Sequence, residues 1–276
     1  MPSPLDLVEL PFMRTATLEV LLLAVAGGLL GAWIVLRRLA FFAHATGSAT
    51  FPGLVVADAA GLRPIVAALA VALAYAAGVW RAGRARSADA ATALLLVAAL
   101  ALGVVLASDV FESGANIDRL LFGTLLGIDG GDLAAAAAAA ALALLATLTL
   151  GRAWLASGFD RDAARATGTR VDRADALLLT LIAAAVVTAL PAVGALLVTA
   201  LFIVPAATAR LLARSVPELL VLSVTLAALE GVTGVYIALW ADAAPGPAIA
   251  LLGACVYAVV ALVQALRRST RNPVPA

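Results

Sequence analysis

Lysine is absent from this 276-residue chain, and histidine and cysteine occur once each, as His44 and Cys255. A single cysteine excludes a disulfide within the chain, and its place in an apolar run reads as a small packing residue. The poverty of paired nucleophiles, acids and bases argues against an intramembrane enzyme. No G-x-x-x-x-G-K-[ST] segment occurs, so the chain carries no P-loop to cradle a nucleotide phosphate. Charged residues make up only 13% of the chain, and the formal net charge is +1. No nucleic-acid partner is expected from so sparse a charge. The N-terminal stretch MPSPLDLVELPFMRTAT lacks the basic start of a cleaved signal peptide.

What is present is apolar surface. Hydrophobic residues are 64% of the chain and mean hydropathy is +1.09. A soluble domain of this length cannot hide that much, whereas several runs reach the roughly 20 apolar residues that cross a bilayer. The chain reads as an all-α polytopic membrane protein, a single transmembrane domain over 1–276. Nine spans are expected, at about 17–36, 46–61, 62–80, 89–109, 132–150, 174–191, 194–213, 217–241 and 246–266. The second is short and interrupted by Gly47, Pro52 and Gly53, so eight spans is the alternative.

Charge sets the orientation. Segments 37–45, 81–88, 151–173, 210–216 and 267–276 fall on one side and hold fifteen of the eighteen arginines. The positive-inside rule makes that side cytoplasmic, with the N-terminus outside and the C-terminus inside. The opposite side carries SDVFESGANIDRLLFGTLLGIDGGD (108–132), with five acids against one arginine. Such an acidic mouth would concentrate cations, although a solvated loop with helix caps explains it equally simply.

The segment 158–173 belongs to the most charged stretch of the chain. Asp160 is placed to cap a short helix running to Ala166, and Gly168 to end it. Arg161 and Arg165 then share a face, and a surface helix with apolar Phe159, Ala163, Ala164 and Ala166 suggests a docking partner, the alternative being a solvated loop whose arginines only enforce topology.

Four stretches resemble the permease subunits of ABC importers for zinc, manganese and iron: GGLLGAWIVLRRLAFFAHATGSATFPG, LLFGTLLGI, FDRDAARATG and GALLVTALFIVPAATARLLA. The weaker APGPAIALLGACVYAVV matches that family's last span. The resemblance implies a type II importer architecture and a homodimer. It also implies a cytoplasmic ABC ATPase that binds the ATP, an extracytoplasmic solute-binding protein, and a divalent metal as substrate rather than a bound cofactor. Phe159, Asp160, Arg161, Arg165 and Gly168 then belong to the helix that docks on the ATPase.

Around the first turn, family members carry Asp and His four residues apart. Without gaps between Arg38 and Pro52, those positions are His44 and Ser48 here. An imidazole beside a hydroxyl is a weaker ligand set than an imidazole with a carboxylate. His44 is therefore the candidate metal ligand of a pathway that also includes Ser48, Asp58 and Glu230. Glu230 lies within an apolar run, where a charge is costly and usually functional. Thr225, Thr233 or another span are its expected partners, while Asp58 caps a turn or lines the outer path. A metal chelate or other solute, a secondary transporter and a structural subunit remain the alternatives.

Overall fold

The computed structural model describes residues 11–83, 88–110, 128–194 and 198–271. All regular structure among them is helical. In chain order the helices are α1 (Pro11–Leu36), α2 (Ala40–Ala49), α3 (Phe51–Ala60), α4 (Pro64–Gly83), α5 (Ala88–Val105), α6 (Gly130–Phe159), α7 (Arg161–Ala166), α8 (Val171–Val193), α9 (Val198–Leu212), α10 (Val216–Trp240) and α11 (Pro245–Arg271). A π-helical turn, Leu106–Val110, extends α5.

Eight of the described helical segments are long and apolar enough to cross a bilayer. One is Ala40–Ala60, in which α2 and α3 form a single rod bent at Thr50. Thr50 keeps helical angles there (φ −74°, ψ −12°), and its hydroxyl donates to the Gly47 carbonyl at 2.6 Å. Pro52 follows and has no N–H to continue the ladder. The interrupted second span is thus long enough to cross. The expected seventh span corresponds to α9, described over 15 residues.

Helix α1 is the axis of the bundle, packed along α10 and α6 and against α9 and α8. Its glycines explain how. A Cβ at Gly28 would sit 2.5 Å from Val224 Cα of α10, and one at Gly31 would collide with the Phe202 carbonyl oxygen of α9. Small residues let backbones approach this closely, which is how helices gain packing energy where lipid removes the hydrophobic drive. The same pairs give direction. Gly27 meets Phe202 and Gly31 meets Ala206, so α1 and α9 run parallel and in step. Thr199 therefore lies level with about Ala24, near the midpoint of α1. Gly194, at φ +87°, ends α8, and the described part of α9 begins at Val198.

Helix α6 shows the lipid logic again. Ala136, Ala140, Ala143 and Ala146 face inward and are buried, while Leu142, Leu145 and Leu148 point outward. Cys255, expected as a packing residue, is also exposed, on α11. Apolar surroundings in a membrane do not distinguish the core from the lipid face, and this is the physical reason for that difference.

The turn between α1 and α2 is built by its two arginines. Leu39 N–H donates to the Ile34 carbonyl at 2.8 Å, and Arg38 N–H to Val35 at 3.4 Å, a Schellman termination. Arg38 holds the left-handed position (φ +56°) that glycine usually fills.

Replacing Gly31 by leucine should separate α1 from α9 at a cost of at least about 1–3 kcal/mol. The expected readout is a lower thermal midpoint and less monodisperse protein in detergent. Gly130→Ala is the control, since a Cβ there meets nothing within 4 Å. Equal behaviour of the two variants would refute the close-approach account.

Candidate functional site

At the end expected to face the cytoplasm, α6, α7 and α8 form a folded-back unit. The Asp160 carboxylate accepts from the N–H groups of Asp162 (2.9 Å) and Ala163 (3.0 Å), capping α7 as its residue type and position foretold. Gly168, at φ +84°, ends it: Thr169 N–H reaches the Ala164 carbonyl and Gly168 N–H that of Arg165. Phe159 projects outward, 87% exposed. Arg161 and Arg165 do share a face, but that face turns inward. Arg161 pairs with Asp175 (2.6 Å) and more distantly with Asp172 (3.8 Å). Arg165 pairs with Asp162 (3.2 Å) and Asp172 (3.5 Å). Both side chains stay about half exposed.

One group here escaped the sequence reading. Arg37, taken only as a topological charge, is nearly buried and donates to Asp175 (2.7 Å), the Ser157 hydroxyl (2.8 Å) and the Trp154 carbonyl (3.0 Å). Trp154 in turn donates to the Ala174 carbonyl (2.8 Å) and stacks edge-on against Trp33, with ring centroids 5.4 Å apart. The available signal was Asp175, an acid at the threshold of the apolar run ALLLTLIAAA.

His44 and Ser48 lie one turn apart on α2, on the side away from its buried residues Phe42, Ala43, Ala45 and Ala49. His44 is exposed in the single chain and Ser48 half-buried. The His44 Nδ1 atom lies 3.3 Å from the Thr199 hydroxyl in the first turn of α9. The lone imidazole therefore meets α9 at the first of its described turns. Thr199 was not among the candidate pathway residues read from the sequence.

Glu230 is 4% exposed on α10, and its Oε1 has no hydrogen-bond partner among the described residues. Its neighbours belong to other spans. A Cβ added at Gly253 of α11 would stand 2.9 Å from Glu230 Oε2 and 3.2 Å from Val204 of α9. Thr225 is engaged locally, donating to the Val221 carbonyl at 2.9 Å. Val204 and Thr199 are five residues apart, about 7.5 Å along α9, so that helix borders both His44 and Glu230. Next to Val204, Pro205 cannot donate to the Leu201 carbonyl, and the Thr208 hydroxyl donates to Val204 at 2.9 Å.

Asp58 does not join them. It is exposed near the far end of the α2–α3 rod, fourteen residues from His44 or about 21 Å along the axis. A second buried acid was missed: Glu19 is fully buried on α1, and neither carboxylate oxygen has a hydrogen-bond partner among the described residues. ATLEVLLLA carries the signal, an acid two residues inside the expected first span. Among the described residues, no three His, Cys, Asp or Glu side chains converge to hold a metal ion.

Of the acidic outer segment, Asp129 and Asp132 lie within the described residues, while Asp109 is described by its backbone alone and Glu112, Asp118 and all of LLFGTLLGI but Ile128 fall outside them. Asp129 and Asp132 form a capping box on α6. The N–H groups of Asp132 and Gly131, with Arg63 nearby, hold the Asp129 carboxyl below the usual carboxylate range. Its capping contribution is present above the unfolded carboxylate pKa, about 3.9, and fades only as pH falls through the lower folded value.

The sequence profile described as "ABC-3: ABC 3 transport family" matches residues 9–264. The manganese transport system membrane protein MntC of Halalkalibacterium halodurans is 31% identical over 256 residues, covering 92% of this chain and 88% of that protein. The chelated iron transport system membrane protein YfeD of Yersinia pestis is 29% identical over 255 residues, covering 92% and 85%. Among solved structures, PsaBC from Streptococcus pneumoniae in complex with Fab superposes with a TM-score of 0.80 at 28% identity, covering 92% of each chain.

A buried carboxylate oxygen without a partner costs about 1–3 kcal/mol. Glu230→Leu, apolar and of similar bulk, is therefore expected to raise the thermal midpoint in detergent by several degrees. A fall of similar size would show that the carboxylate has a partner, and that Glu230 is an ordinary packing residue.

Proposed function

This chain belongs to the ABC 3 transport family, and from that premise we propose that it is the membrane-spanning permease of an ATP-driven importer for a divalent metal ion, manganese or zinc. The observation that carries this reading is similarity along almost the whole chain, in sequence to a manganese transport permease and in fold to PsaBC.

The working unit is a homodimer in the plasma or inner membrane, with the N-terminus outside and the arginine-rich side cytoplasmic. A separate ABC ATPase binds and hydrolyses ATP, and an extracytoplasmic binding protein delivers the ion. Helix α7 and the ring of Phe159 seat on the ATPase, with Asp160 and Gly168 fixing where that helix starts and stops. Nucleotide-driven closure of the ATPase pair displaces α7 and rocks the bundle between outward-open and inward-open forms.

Across the dimer, two copies of His44 face one path. Two imidazoles and two Ser48 hydroxyls bind an ion weakly, and weak binding lets it leave again. The Thr199 hydroxyl, within reach of Nδ1, fixes the ring and leaves Nε2 toward the path. Glu230 stands deeper, beside α9, where its carboxylate responds to movement of that helix. Asp58 stands apart from both, on the exposed outer stretch of α3.

A second reading keeps the ATP-driven importer and makes the substrate a metal chelate. It is favoured by His44 and Ser48 standing where the family carries Asp and His, and by similarity to a chelated iron permease. A chelate needs no bare metal ligands along its path.

The test measures metal content in cells lacking the permease, restored with the native chain or with His44→Ala. Selective recovery of Mn²⁺ or Zn²⁺ by the native chain, with at least tenfold lower accumulation by the variant at equal expression, is the expected result. Full recovery by His44→Ala removes the imidazole from the path, and recovery only with chelated metal selects the second reading. Phe159→Ala should reduce accumulation without lowering membrane insertion; normal transport would move the docking site elsewhere.

A further inference from the structure

We propose that Asp175 is a positioning residue that transmits motion of the α7 docking helix to the helix carrying His44. This rests on the permease reading above. The Asp175 carboxylate is shared: Oδ1 takes Arg37 Nη2 at 2.7 Å, and Oδ2 takes Arg161 Nη2 at 2.6 Å. One partner comes from α7 and the other from the turn that launches α2. Asp175 itself stands in the first turns of α8, so three elements meet on one side chain.

Arg37 is not a loose surface charge. Its side chain is 11% exposed and that of Asp175 12%, against 49% for Arg161. It also grips the end of α6 through the Trp154 carbonyl and the Ser157 hydroxyl. Gly158 gives it room, since a Cβ there would lie 2.8 Å from Arg37 Cδ. A displacement of α7 thus reaches Arg37 twice, through Arg161 and Asp175 and through the end of α6.

Beyond Arg37 the path is stiff. The Schellman turn ties Leu39 to Ile34, and Ala43 N–H reaches the Leu39 carbonyl at 3.0 Å. His44 follows immediately, five residues from Leu39. Movement of Arg37 is passed to the imidazole without a flexible linker.

Stability alone gives a poor reason for this arrangement. Desolvating two charges offsets much of their attraction, and a buried pair can often be replaced by apolar side chains at no loss. What an ion pair offers is direction and the ability to break and re-form. Space for that exists in a cavity of about 600 Å³ lined by Arg37, Phe42, Trp80, Arg161, Asp172 and Asp175. In it the arginines can exchange between Asp172 and Asp175 without repacking the core.

The experiment uses the full chain assembled with its ATPase in lipid nanodiscs. In a Cys255→Ser background, spin labels at Phe41→Cys on α2 and Ala166→Cys on α7 report their separation with and without ATP. The native complex should show a nucleotide-driven change that Asp175→Asn abolishes. In proteoliposomes, the same variant should keep ATP hydrolysis within about twofold while Mn²⁺ uptake per ATP falls at least tenfold. Asp175→Asn leaves Arg37 without its carboxylate, so the neutral pair Arg37→Gln/Asp175→Asn guards against a folding defect. It should assemble, and be as poorly coupled as Asp175→Asn alone. A native-like distance change in either variant overturns the proposal, as does parallel loss of hydrolysis and uptake. If the native complex moves with ATP yet takes up no Mn²⁺, the metal reading fails and the distance measurement still decides on Asp175.

Discussion

Everything in the bundle depends on how closely α9 and α10 approach the glycine face of α1. Between lipid-bathed helices there is no hydrophobic drive to exploit, so association rests on backbones near enough for dense contact. Gly28 and Gly31 supply that nearness, and no side chain larger than hydrogen fits at either position without movement. The parallel register of α1 and α9 follows from it. So does the level of Thr199, the residue that His44 meets. The glycine face of α1 thus sets the position of the helix that faces the only imidazole in the chain.

The bundle tolerates polarity only under tight conditions, and its charges fall into two groups. Arg37 and Asp175 are buried as a pair with further hydrogen bonds, the arrangement that makes buried charge bearable. Both carboxylate oxygens of buried Glu19, and Oε1 of buried Glu230, lack hydrogen-bond partners among the described residues. The first group lies where α6, α7 and α8 meet the α1–α2 turn. The second lies inside the spans, on the two helices that pack most intimately together. Ion pairs serve where elements must hold and release, whereas carboxylates without partners mark places that selection for stability alone would have filled with leucine.

How much of this was legible in the sequence depended on the range of the interaction. The caps at Asp160 and Gly168 were readable because capping involves residues two to four apart. The spans were readable because crossing a bilayer is a matter of composition and length. The pairing of Arg37 with Asp175 was not, since it joins residues 138 positions apart and either partner alone looks like a charge at a membrane boundary. Arg161 and Arg165 were placed on one helical face correctly, but periodicity cannot say whether a face turns toward a partner or back onto its own chain. The register of α9 against α1 was hidden because it is set by contacts such as Phe202 against Gly27, which join residues far apart in the chain. His44 and Ser48 kept their one-turn spacing, and Asp58, expected at a turn or on the outer path, lies at the other end of the rod.

The inward alanines of α6 carry a consequence for the entropy of ordering the bundle. An alanine has no rotamers to lose, whereas a leucine fixed in a core gives up about 0.5–1 kcal/mol of side-chain freedom. By placing Ala136, Ala140, Ala143 and Ala146 against α1 and its leucines against lipid, α6 packs without freezing side chains. The outward leucines keep their rotamers in the fluid acyl chains. Two helices meeting through such faces can slide and lock again with little entropic penalty in either position. A transporter that must adopt more than one packing of the same helices benefits from an interface whose degrees of freedom were few before it formed.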